Sequence, residues 1–500
     1  MIKDALKQFF VYTMGSIAQT ALNFALLLLY LHYFEPSDYG VISLLTVLSS
    51  LISLLVGTGF ISGLFRLYYE ASIEERKSLA SATWIWYLST GIIPAAILFL
   101  FPSFFSNLLF QKGDFSYSIK LLSISFLLSM IETIPFNFLR LEKRSGIFVI
   151  FSLLNLIVNF LLKYYFIAVL AHGINGYFES SIIASALMLL VVFPFVLKYV
   201  SFPPKLSHFS ELLKLGYPFI FSGIAVWTLD KANRFVLNYV QGTESVGIYS
   251  LGCNFANLFN VLLLSPSALF WNPFFFSYAA KMPEQDIKKL LNKSQIYFLF
   301  LGYILFLAIS LSSDDILRIF TSKTAYWQAE TLIPMLVLGN LVYLLCRQAG
   351  NALLLAKRPQ ITSIAGLIAA VVNIGLNLLL VPVIGIFGSA LSTVISYVSF
   401  LILIYWRAQT LYHVDYDWKC IVKSSIFLVI ALMLSWQIRL SQPWISLFVR
   451  TTTGVVLFSL LTWFFGNILT QHERQKVILY IKHGRKQGVR KLLRRFTSKA

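Results

Sequence analysis

Trp227-Thr228-Leu229-Asp230-Lys231-Ala232-Asn233-Arg234 sets three charges in the middle of a long apolar segment that runs from about Tyr217 to Val240. At roughly 100° per residue, Trp227, Asp230, Lys231, Arg234 and Asn238 share one arc of a helix, while Phe235, Val236 and Val240 lie outside it. The segment reads as a membrane span with one polar face. Each mid-span Asp, Lys or Arg costs about 2.5–3.5 kcal/mol to insert, whereas a Leu, Ile, Phe or Val returns only about 0.3–0.6 kcal/mol. The apolar residues cannot offset three such charges, so the polar face needs a solvated cavity or protein partners. Two readings follow. In one, Asp230 and Arg234 neutralise each other at i,i+4 and help the helix pack. In the other, the face lines a net-positive cavity, which also accounts for Lys231.

Composition places the whole chain in the membrane. Its 500 residues are 58% hydrophobic and only 12% charged, with a mean hydropathy of +0.76, too few charges for a soluble protein of this size. Apolar stretches long enough to cross a bilayer recur about fourteen times, at 9–33, 41–65, 79–101, 117–139, 147–170, 174–197, 217–240, 247–278, 294–312, 329–354, 361–381, 385–406, 420–437 and 443–466. The net charge of +19 is concentrated in alternate loops. One side collects thirty Lys and Arg, ten of them in the tail, and the other collects Lys112, Arg318, Lys323 and Arg439. By the positive-inside rule both termini are expected in the cytoplasm. No basic tract interleaved with aromatics lies outside the apolar stretches, which argues against nucleic acid.

The sequence repeats itself. Ser37-Asp38-Tyr39-Gly40-Val41-Ile42-Ser43-Leu44 is echoed by Glu244-Ser245-Val246-Gly247-Ile248-Tyr249-Ser250-Leu251. Asn155-Leu156-Ile157-Val158-Asn159 is echoed by Asn373-Ile374-Gly375-Leu376-Asn377, and Gly173-Ile174-Asn175-Gly176 by Gly385-Ile386-Phe387-Gly388. The order and the nearly constant offset predict a duplication of six spans. Both copies start on the same side, so the expected fold is an all-α integral membrane protein with two six-helix lobes in parallel pseudo-twofold repeat, plus two extra helices. The expected divisions are 1–210 and 211–410 for the lobes, 411–468 for the extra helix pair and 469–500 for a basic cytoplasmic tail suited to anionic lipid.

Candidate functional residues are the polar groups inside spans. Asn155, Asn159 and Lys163 recur every four residues and form a stripe on the fifth span. Lys163 has two readings, snorkelling to the interface or lining a cavity. Glu132 and Asp230 are candidates for a coupling ion. Arg347 and Arg450 lie nearer the ends of their spans. Gly59-x-x-x-Gly63 predicts close helix packing. Pro266 and Pro273, beside Trp271, offer a hinge in the eighth span. There is no phosphate-binding G-x-x-x-x-G-K loop. The six histidines form no metal-ligand pattern, and Cys253, Cys346 and Cys420 are widely spaced in or beside apolar segments. Neither a metal nor a cofactor is expected.

Several motifs together resemble the polysaccharide repeat-unit flippases of the Wzx type, within the multidrug/oligosaccharidyl-lipid/polysaccharide exporter superfamily. They are Phe34-Glu35-Pro36-Ser37-Asp38-Tyr39-Gly40, then Gly57-x-Gly59 with Gly63, Arg66 and Tyr68, Asp230-Lys231-x-x-Arg234, Val246-Gly247-Ile248-Tyr249 and Trp271-x-Pro273. The resemblance implies a V of two lobes that exports, by alternating access, an oligosaccharide linked to a lipid of the undecaprenyl pyrophosphate type. It also implies that membrane lipids, a polysaccharide polymerase and a chain-length regulator are partners. On that reading Lys163, Asp230, Lys231, Arg234, Asn155, Asn159, Asn238 and Trp227 face the substrate. A multidrug exporter of the same fold remains the alternative, although one for cationic drugs is expected to present carboxylates. A membrane-embedded glycan polymerase or acyltransferase is a second alternative, disfavoured by short external loops and by the repeat.

Overall fold

A computed structural model describes residues 2–466, apart from 111, 143, 198–204, 206, 268–274, 276–281 and 439. The Trp271-x-Pro273 motif and the basic tail lie outside the described residues. The first half of the chain forms α1 (Ile2–Tyr33), α2 (Pro36–Leu67), α3 (Ile73–Leu100), a short α4 (Pro102–Leu109), α5 (Ser116–Leu141), α6 (Ser145–Tyr164) and α7 (Gly173–Leu197). The second half forms α8 (Ser207–Trp227), α9 (Asn233–Gln241), α10 (Thr243–Phe259), α11 (Glu284–Phe320), α12 (Ala329–Leu355), α13 (Gln360–Ile384) and α14 (Ile386–Leu411). The extra pair is α15 (Trp418–Trp436) and α16 (Pro443–Phe465). Among the described residues twelve helices are long and apolar enough to cross a membrane, and the segments Ser207–Tyr217 and Phe219–Gln241, bent by 47°, make up to one more. The helix Ile2–Tyr33 covers the first expected span.

Local sequence explains where the helices begin. Pro36 opens α2, and its N-cap residue Glu35 forms a reciprocal capping box with Asp38. Ser72 and Glu75 form the same box at the start of α3. The Asp417 carboxylate accepts from the Cys420 N–H at 3.0 Å and caps α15. Three π-helical turns, Tyr165–Val169, Thr228–Ala232 and Asn260–Leu264, follow α6, α8 and α10. Such turns insert a residue into the helical register, and so re-aim the side chains beyond them.

The repeat predicted from sequence is visible as reciprocal packing. A methyl group on Gly40 would overlap the Thr243 carbonyl, and one on Gly247 would overlap the Pro36 carbonyl. Close by, Ser43 and Ser250 meet hydroxyl to hydroxyl at 2.7 Å. Each copy of the motif thus contacts the other, as residues flanking a twofold axis must. This end of the bundle, called here the sealed end, is tied further. Lys323 Nζ lies 3.1 Å from Glu35 Oε1, and the Tyr326 hydroxyl donates to the Phe34 carbonyl at 3.2 Å. Towards the opposite end α2 packs on α8 as closely: a Cβ on Gly216 would stand 1.9 Å from the Gly59 carbonyl, and one on Gly63 2.7 Å from that of Leu212, so the two halves meet there too. The expected close packing of the Gly59-x-x-x-Gly63 face is therefore against the other half of the molecule.

α15 and α16 pack on α11. Phe458 stacks on Phe300 with centroids 5.6 Å apart, and the Tyr303 and Ser425 hydroxyls are 2.6 Å apart. Near the sealed end this contact is ionic. Arg450 is fully buried, with Nη1 3.4 Å from Asp314 and 3.8 Å from Asp315. Arg318 bonds Asp314 at 2.6 Å and Glu330 at 3.1 Å.

A cationic cavity between the two halves

The Thr228–Ala232 turn decides what the charged stretch meets. In an unbroken α-helix Asp230 and Arg234 would stand above one another. With the wider turn between them the two side chains part. Arg234 is buried, donating from Nε to Ser250 Oγ at 3.0 Å and from Nη1 to the main-chain carbonyl of Asp230 at 2.9 Å. Its guanidinium also lies over the Tyr249 ring, 5.9 Å from the centroid. The Asp230 side chain is exposed. No ion pair joins the two side chains among the described residues, so the self-neutralising pair is corrected to a side-chain bond onto backbone.

Arg234 and Lys231 open onto a cavity of about 420 Å³ between the two halves of the molecule. From the first half, α1 contributes Thr20 and Asn23, α2 contributes Tyr39 and Ser43, and α6 contributes Lys163. From the second half, Ser250, Asn254 and Asn257 of α10 complete the wall. Lys163 is buried, its ammonium 4.3 Å from the centre of the Tyr177 ring. The structure therefore places Lys163 in the cavity rather than at the interface. Three cations line the space and no carboxylate does, among the described residues. A second cavity of about 330 Å³ adjoins it on the side of the second half, sharing Lys231, Arg234, Asn254 and Asn257 and adding Asp230 and Asn340.

Other expected site residues go elsewhere. The Trp227 indole donates to Ser50 Oγ at 2.9 Å and joins α8 to α2. Asn238 is buried and donates to the Leu109 carbonyl at the end of α4. Both are tertiary ties, because an indole or amide on a polar helix face is satisfied as well by a neighbouring helix as by solvent. Asn155 donates to the buried Glu132 carboxylate, and Asn159 donates to Asn155 Oδ1 at 2.6 Å. Glu132 and Asn155 line a separate cavity of about 440 Å³ within the first half, with Gln19, Asn23 and Arg140. The stripe on α6 thus splits: Lys163 faces the central cavity, and Asn155 reaches the carboxylate. Asn23 borders both spaces.

Sequence reasoning did not single out the hydroxyl and amide wall around the cations. Ser43 and Ser250 were visible as repeat positions, yet nothing in their types marked a site. The second copy of the Asn motif serves a buried knot: Asn233 donates to the Tyr249 hydroxyl at 2.9 Å and to Thr393 Oγ1 at 2.7 Å, and accepts from Asn377 at 3.1 Å. Tyr249 therefore connects this knot to the ring beneath Arg234.

The architecture is that of an all-α, multi-pass membrane protein with polar cavities enclosed by paired bundles of helices. The fold agrees with solved transporters. The lipid II flippase MurJ in an inward closed conformation superposes with a TM-score of 0.75 at 16% identity, covering 91% of this chain and 98% of that one. An inward-facing multidrug resistance MATE family transporter of the MOP superfamily gives a TM-score of 0.64 at 15% identity over 80% of this chain and 95% of its own. A mutant of the Vibrio cholerae MATE transporter VcmN gives 0.57 at 15% identity, over 82% and 97% respectively. No curated protein matches the sequence. The family model described as polysaccharide biosynthesis protein matches residues 33–324, and the chain belongs to that family.

Proposed function

We propose that the protein moves a lipid-linked, anionic oligosaccharide across the bacterial cytoplasmic membrane by alternating access, as a step in surface polysaccharide synthesis. The observation that carries this reading is the convergence of Lys163, Lys231 and Arg234, from both halves of the chain, on one cavity whose described wall holds no carboxylate. Inside a low-dielectric bundle such a space favours an anion and repels a cation, so a pyrophosphate or an acidic sugar suits it and a cationic drug does not. Family membership supplies the polysaccharide context, and the fold it shares with a lipid II flippase suits a lipid-linked cargo. The charge asymmetry of the loops favours both termini in the cytoplasm, an orientation that turns the sealed end outward. Glu132 and Asp230 are the carboxylates available to a coupling ion. Polymerase and chain-length regulator would receive the cargo outside.

The test is export by the Lys163→Ala, Lys231→Ala double variant, measured as surface glycan per unit of membrane-inserted protein. Loss of most export at normal abundance supports the reading. Full export would sink it and return both lysines to packing roles.

A further inference from the structure

Ser250 stands where the cationic cavity meets the seam of the sealed end. Its oxygen lies 3.0 Å from Arg234 Nε and 2.7 Å from Ser43 Oγ of the opposite half. Ser43 and Ser250 are both buried, and both border the cavity. We propose that Ser250 is a positioning residue that ties occupancy of the cavity to closure of the seam, so that an oxyanion bound at Arg234 loosens the sealed end. The proposal rests on the reading of the cavity as an anion site and adds what that anion does.

The argument comes from guanidinium geometry. A phosphate or carboxylate engages arginine best through two parallel N–H groups, and one such fork is the Nε and Nη2 edge. Nη1 is held by the Asp230 carbonyl and Nε by Ser250. Bidentate capture on the Nε edge therefore removes the donor that Ser250 accepts. While that donor is present it polarises the Ser250 hydroxyl and strengthens the bond across to Ser43. Once it is withdrawn, the seam there keeps a neutral hydroxyl pair, the bond from the Asn254 amide to the Tyr39 hydroxyl and the Gly40 and Gly247 backbone contacts. The neighbouring groups favour the exchange, because Lys231 borders the same space and adds a donor to the incoming anion, and Asn254, whose amide donates one N–H to Tyr39, carries a second.

The test uses the full chain in lipid nanodiscs, with Cys253, Cys346 and Cys420 replaced by Ala and spin labels at the exposed positions Ser37 and Glu244, one on each side of the seam. Inorganic pyrophosphate is the probe, and both its binding and the distance distribution between labels are measured. Pyrophosphate is expected to raise the separated population. Ser250→Ala is expected to raise it roughly tenfold without probe, the weight of one charge-assisted hydrogen bond, and to abolish the response. Ser43→Ala, which leaves the Arg234 partner in place, is expected to release the seam from the other half, and Ser250→Thr to restore wild-type behaviour. Binding of pyrophosphate without any change in distance overturns the relay and leaves the anion site standing. Wild-type distances in both alanine variants overturn it as well. Failure of pyrophosphate to bind overturns the anion site and the relay together. If Ser250→Ala fails to accumulate, Ser43→Ala carries the same decision.

Discussion

The Arg234 guanidinium donates to the main-chain carbonyl of Asp230, 2.9 Å away, while the Asp230 carboxylate stays exposed. Asp230 is thus a partner through its backbone, which any residue supplies. Asp230→Asn is expected to change stability by no more than about 0.5 kcal/mol, the range of exposed substitutions, and to leave the amount of inserted protein near wild type. Arg234→Ala removes the bond to Ser250 and the contact with Tyr249, so inserted protein and export should both fall. Equal loss of abundance in Asp230→Asn and Arg234→Ala, read by immunoblot of membrane fractions, would restore the ion-pair view.

The second prediction concerns the buried ions between α11 and α16. Replacing Arg450 with Ala takes the cation beside it from buried Asp315 and leaves Asp314 with Arg318, a change that costs about 3–5 kcal/mol when a buried pair loses one member. Abundance of Arg450→Ala should drop sharply, and the double variant Arg450→Leu, Asp315→Leu should recover part of it, because an apolar replacement removes the uncompensated charge while Asp314 keeps Arg318. Arg450 lies in neither cation-lined cavity, so export per inserted molecule should stay close to wild type. Normal accumulation of Arg450→Ala would show that the cluster does not hold the extra helix pair.

Glycines at the sealed end give a contrast within one residue type. Gly247→Ala pushes a methyl into the Pro36 carbonyl, whereas a methyl on Gly375 meets nothing within 4 Å. Overpacking a tight contact costs about 1–3 kcal/mol. Gly247→Ala should therefore shift the label distances of the Ser37 and Glu244 pair outward and lower export, while Gly375→Ala leaves both unchanged. Indistinguishable behaviour of the two variants would mean that the seam is not the closing contact.

Topology is testable without the structure. Reporter fusions after Glu244 are expected to signal external exposure, and fusions after Glu284 cytoplasmic exposure. A cytoplasmic signal after Glu244 would invert the assignment of the sealed end.

The fold was largely legible because membrane insertion leaves its record in one dimension. Apolar runs of bilayer length and alternating basic loops located the spans, and the Gly40 and Gly247 motifs announced the repeat. The site was legible only in part. Burial of three cations inside spans demanded a polar space, and Lys163, Lys231 and Arg234 do share one. A helical wheel reports that a face is polar without saying what it meets, and so Trp227 and Asn238, which bind Ser50 and Leu109, were grouped with the cavity residues. The wheel also assumed an unbroken register, which the wider turn at Thr228–Ala232 breaks between Asp230 and Arg234. Arg450 and Asp314 lie 136 residues apart, and no periodicity links them.

The sealed end closes on bare main chain, with the Pro36 and Thr243 carbonyls set against Gly247 and Gly40. At those two contacts the only demand on the side chain is that it be missing, and the Ser43–Ser250 hydroxyl pair and the Lys323–Glu35 ion pair are added beside them. On the proposed transport role, the cavity wall apart from Ser43 and Ser250 can vary in sequence without disturbing these main-chain contacts. A common door and many possible contents follow from the same few missing methyl groups.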